Sequence, residues 1–184
     1  QWKVHSAQKG AEAAAQFQAL ADAASSGDSE DALKIGSTLR EEHPKSVYAV
    51  LAALRAAEDA ARKNDLATAA SELDWARQHV SDGALAALVT LRSARVKLAQ
   101  GEADAAIKLV DGLPKETYVA SAGELRGDAL LKLGRADEAR VAYEGALASL
   151  DPQAPARALL QMKLDDAGGA TAAPAAAEAE KKGS

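Results

Sequence analysis

The sequence predicts an all-α chain of stacked helical hairpins, and three observations predict it. A short turn is followed five residues later by alanine four times, at Gly27 and Ala32, Asn64 and Ala69, Gly101 and Ala106, and Gly134 and Ala139. Successive turns lie 37, 37 and 33 residues apart, close to the ~34-residue period of tetratricopeptide-type helical repeats. About a quarter of the 184 residues are alanine while aromatics make up 3%, so a core must come from close helix contacts and not from large rings.

The elements follow in order. Residues 1–25 read as a first helix, with Leu20 seven residues ahead of the turn at Gly27. Glycine or asparagine at each turn can take the left-handed conformation that ends a helix. The alanine beyond it lets two antiparallel helices cross closely. The second helix carries Ala32, Gly36 and Leu39 and stops at Pro44. The next pair fills the same slots with Ala57, Asn64, Ala69, Leu73 and Ala76, and the third with Ala94, Gly101, Ala106 and Val110. In the fourth, Gly127 precedes the turn at Gly134, and Ala139, Tyr143, Ala146 and Leu150 share one helix face. Asp151 is expected to cap the next helix with Pro152 in its first turn, and a capping helix is expected from roughly Gln153 to Asp166. The expected fold is therefore a tetratricopeptide-like solenoid of about four helix pairs plus that cap.

The expected organisation is a first helix over 1–25, a repeat domain over 26–166 and a tail over 167–184. The tail is rich in alanine, proline and glycine without apolar periodicity, so it is expected to be disordered. The chain opens on Gln1-Trp2-Lys3, and a tryptophan beside a lysine suits the headgroup end of a membrane helix. On that reading the first helix continues from a membrane helix upstream; an ordinary surface tryptophan is the alternative these two residues leave open.

Several function classes find no support. The net charge of -5, with both signs interspersed, offers no basic stripe for a phosphate backbone, so nucleic acid is not expected as a partner. Zero cysteines remove disulfides, thiol catalysis and cysteine-ligated zinc. His5, His43 and His79 are far apart and make no ligand set. There is no GxxxxGK[ST], GxGxxG or GxSxG. The acid clusters at Glu41-Glu42, Asp165-Asp166 and Asp28 with Glu30 and Asp31 fall at helix ends or turns, where carboxylates favour helix starts and water. General acid/base work would need a desolvated carboxyl. No catalytic residue and no cofactor is expected.

What remains is protein binding. The first helix of each pair lines the inner curve of such a stack, and counting from the turns places Glu58, Arg95 and Asp128 at equivalent inward positions. Leu54, Leu91 and Glu124 come one turn earlier, and Leu98 and Leu131 nearly a turn later. This mixed, partly apolar surface suits a polypeptide. Arg95 and Asp128 can equally neutralise each other between repeats. The inner-face clamp for chaperone carboxylates needs asparagine with lysine, and Asn64, the one asparagine, sits in a turn.

The segments YAVLAALRAAEDAARKNDLATAASELDWA (Tyr48 to Ala76), LRSARVKLAQGEADAAIKLVDGL, LRGDALLKLG and LLQMKLDD (Leu159 to Asp166) resemble, in order and spacing over Trp2 to Asp166, the YfgM family of ancillary SecYEG translocon subunits. The resemblance implies a bacterial inner-membrane protein with one membrane helix and this domain in the periplasm. It implies association with SecYEG and with a PpiD-like periplasmic chaperone, assisting nascent secreted polypeptides. The tail after Asp166 departs from the family. A scaffold in a cell-envelope assembly is the alternative the repeat itself allows.

Overall fold

The computed structural model describes residues 2–81 and 83–179, with side chains placed over 7–81 and 83–168. Among the described residues all regular structure is helical: α1 (Trp2–Ser25), α2 (Ser29–Glu42), α3 (Val47–Arg62), α4 (Leu66–His79), α5 (Gly83–Ala99), α6 (Ala103–Asp111), α7 (Val119–Lys132), α8 (Ala136–Ala148) and α9 (Ala156–Ala179). None of them is long and apolar enough to cross a membrane.

The four repeat turns share one backbone device. Gly27, Asn64, Gly101 and Gly134 all have positive φ, at 84, 59, 86 and 74°. At each, the turn residue donates its N–H to the carbonyl three back, and the next residue donates to the carbonyl five back, as in Gly134 to Leu131 (2.9 Å) and Arg135 to Leu130 (2.9 Å). This paired arrangement satisfies carbonyls that a helix end leaves orphaned. The residue after the turn then starts the next helix. Asp28 and Asp65 accept from the N–H groups of Asp31 and Thr68, each at 3.0 Å. The alanine five residues on donates the first intrahelical bond, and Ala69, Ala106 and Ala139 are fully buried. One short sequence signal thus ends a helix, begins another and supplies the small side chain at their crossing.

Two compact units result, up to Val96 and from Lys97. In the first, Ala13, Leu20, Leu39 and Ala49 gather α1, α2 and α3, with Phe17 and Tyr48 rings 5.6 Å apart. A second cluster joins Val50, Leu54 and Ala57 of α3 to Leu73 and Ala76 of α4 and to Val89 and Val96 of α5. In the second unit Leu130, Tyr143 and Leu147 of α7 and α8 bury Leu160 and Ala167 of α9. Arg157 donates to the Leu147 and Leu150 carbonyls at 2.8 and 3.2 Å, closing the C-terminal end of α8.

Two boundaries differ from expectation. The capping helix begins at Ala156 and not Gln153, because Asp151 accepts from the Gln153 N–H (2.8 Å) while Ala154 donates to the Asp151 carbonyl (2.9 Å). Asp151-Pro152 makes a turn, and Pro155, which disfavours helix at the residue before it, sets the start. α9 also runs to Ala179, through most of the segment expected to be disordered. Its many alanines favour helix, while Gly168, Gly169 and Pro174 within it work against one. Residues 180–184 of that tail lie outside the described residues.

Candidate protein-binding surfaces

In the first unit, α3 presents Leu54, Ala57, Glu58 and Ala61 along one face, and α5 presents Arg92, Arg95 and Val96. Between them, with Leu73 of α4 below, lies a groove of 300 Å³. Its floor is core: Leu54, Ala57, Leu73 and Val96 are buried. Its rim is charged. Arg92 Nη1 is 3.6 Å from Glu58 Oε2, a half-exposed pair of the kind that contributes about 0–1 kcal/mol. Arg95 is exposed and makes no ion pair among the described residues. The groove thus has a concave apolar floor edged, among the described residues, by an unpaired Arg95 and the loosely held Arg92–Glu58 pair.

In the second unit, Glu124 and Asp128, one turn apart on α7, both face Lys163 of α9. Lys163 Nζ donates to Glu124 Oε1 at 2.7 Å and to Asp128 Oδ1 and Oδ2 at 2.9 and 2.7 Å. All three ammonium hydrogens are thereby used. Tyr143 donates its hydroxyl to Asp128 Oδ1 at 2.7 Å, its ring seated against the bare backbone of Gly127. Burial, then the Asp128 carboxylate, push the Tyr143 phenol well above its ordinary value. At Lys163 burial opposes the charged form, but the hydrogen bonds it donates to the Asp128 and Glu124 carboxylates, with their negative charge, together outweigh it and raise the ammonium. This is a saturated cluster that latches α9 onto α7.

The inward positions read from the sequence therefore divide. Glu58 and Arg95 edge an open groove with Leu54 in its floor. Glu124 and Asp128 are engaged by Lys163. Leu91 and Leu98 are buried, and Leu131 is half-buried against the second unit's core, so these three belong to the interior rather than to an open surface. Counting from the turns missed Arg92, three residues from Arg95, and Lys163, which sits 35 residues beyond Asp128. The first was legible as a second cation on the same helix face. The second had no local signal.

A family model described as a tetratricopeptide repeat-like domain matches residues 1–169. The chain is 37% identical over 122 residues to the ancillary SecYEG translocon subunit of Escherichia coli, covering 66% of this chain and 59% of that protein. The protein of the same name from Haemophilus influenzae is 28% identical over 145 residues, 79% of this chain and 71% of its own length. That from Neisseria gonorrhoeae is 32% identical over 131 residues, 70% and 62%. The chain thus spans about three fifths of the Escherichia coli relative. These names agree with the resemblance carried by the repeat segments.

Proposed function

The chain belongs to the tetratricopeptide repeat-like family, and from that membership we propose that it is a non-enzymatic protein-binding adaptor, an ancillary subunit of the SecYEG translocon. The observation that carries the adaptor reading is the groove between α3 and α5, where an apolar floor meets Arg95, which makes no ion pair among the described residues. The translocon enters through the names of the relatives. The finer reading rests on the quoted segments: the whole protein is anchored in the bacterial inner membrane by one helix, holds this domain in the periplasm, and works beside a PpiD-like chaperone on emerging secreted polypeptides.

Affinity purification of the full-length protein from membranes in mild detergent tests this. Translocon subunits and a periplasmic chaperone are expected in the eluate. Arg95→Glu should reduce their recovery while leaving the helical circular dichroism unchanged, because the side chain is exposed and supports no core contact. Recovery of an envelope-assembly complex without translocon subunits would replace this reading with the scaffold.

A further inference from the structure

The second unit carries a further trough, separate from the Lys163 cluster. It lies between α7 and α8, holds 560 Å³, and is lined by Val119, Gly123, Leu130, Val141, Ala142 and Gly145, with Arg126 and Asp137 at its edges. Two features keep it open. Gly145 has no side chain, and a β-carbon built there meets nothing within 4 Å. The neighbouring helix is short: α6 has 9 residues against 14, 14 and 13 for α2, α4 and α8. Its last residue, Asp111, holds Arg126 at 3.0 Å, so α6 stops at the rim and leaves the trough uncovered.

The apolar walls face water. Val141 is 68% and Val119 41% exposed, on helices whose other valines and leucines of this cluster are packed. On α7 the lining positions 119, 123, 126 and 130 are spaced by four, three and four, the stripe one helix presents to another lying along it. On α8, positions 138, 141, 142 and 145, spaced by three, one and three, likewise share one helix face. The shape is that of a missing third helix.

The charges define its flank. Arg126 is matched by Asp111, and Glu138 by Arg135 at 2.6 Å. Asp137 makes no ion pair among the described residues. The position of Asp137 in the first turn of α8 suits that helix's dipole, but the dipole does not explain the exposed valines beside it. We propose that this trough docks an amphipathic helix of another protein, with aliphatic residues at i, i+3 or i+4, and i+7, and a lysine or arginine at the end that meets Asp137. The site is independent of the translocon reading.

Three fluorescent 18-residue helical peptides test it by anisotropy on the full chain: a leucine stripe with a lysine flank, the same stripe with a glutamate flank, and a serine stripe with the lysine flank. The first should bind, and the others should bind at least about tenfold more weakly. Val141→Asp should abolish the preferred binding at unchanged circular dichroism, since Val141 is exposed. Asp137→Lys should transfer preference to the glutamate-flanked peptide, and Arg95→Glu should change nothing. Indifference to Val141→Asp, equal binding of the three peptides, or no binding would overturn the proposal. So would concentration-dependent self-association lost in Val141→Asp, which would seat a second copy in the trough.

Discussion

Gly127 lies on α7 against the ring of Tyr143, and a β-carbon there would overlap that ring, 2.6 Å from Cδ1. Tyr143 is fully buried and is anchored at its far end by Asp128, so it has nowhere to retreat. Gly127→Ala is therefore expected to destabilise by about 1–3 kcal/mol, the range of overpacking in a dense core, read as a lower urea midpoint. Pairing it with Tyr143→Val should recover part of that loss, because the clash and its partner are removed together. Gly36 makes the control. Its β-carbon would meet the terminal Cδ1 of Leu20 at 3.2 Å, a methyl that can rotate away, and alanine is the better helix former by about 1 kcal/mol. Gly36→Ala should stay within about 1 kcal/mol of the parent. An equal loss at both positions would show that the tyrosine ring is not what sets the cost at Gly127.

Among elements, α9 illustrates how a helix with few large side chains is held. Lys163 joins it to α7 through two carboxylates, and Leu160 and Ala167 bury its face. Lys163→Met should cost about 2 kcal/mol, typical of hydrogen bonds to charged groups, and should loosen α9, seen as faster amide exchange there. The same cluster sets an alkaline limit. Tyr143 and Lys163 both have folded values above their ordinary ones, so the folded chain keeps protons that the unfolded chain releases above about pH 10. Their stabilisation is complete below that pH and fades as pH rises through the folded values. Tyr143→Phe should be less stable at pH 7 by about 1 kcal/mol and flatter than the parent between pH 9 and 11, in urea titrations at each pH. Parallel curves would remove Tyr143 from the alkaline transition. The hairpins were legible because each turn is local: the glycine or asparagine, the carbonyls it ties and the alanine it positions lie within about ten residues. The latch was not, because Glu124 and Lys163 meet across 39 residues and, although the repeat marks Glu124, nothing in it marks Lys163. The start of α9 was misplaced for a smaller reason, two prolines three residues apart of which the second governs. The groove was half legible: Glu58, Arg95 and Leu54 fall in it by counting, while the burial of Leu91 and Leu98 depends on how closely alanines let helices approach.

At the scale of the whole chain, each of the two compact units carries its own apolar clusters, and contacts in a helical repeat run chiefly between sequence neighbours. Unfolding in such an array is a chain of local equilibria and not one block, so a lesion in one unit need not be felt fully in the other. Trp75, half-buried against both clusters of the first unit and stacked on His79 at 3.9 Å, reports on that unit once Trp2 is changed to phenylalanine. Gly127→Ala damages only the second. In the Trp2→Phe background, Gly127→Ala is expected to move the early part of the circular dichroism transition to lower urea while the Trp75 fluorescence midpoint shifts by less than half as much. Coincident shifts in both probes would show that the two units melt together. The alanine-rich helix crossings would then couple strongly enough to make the repeats one cooperative structure.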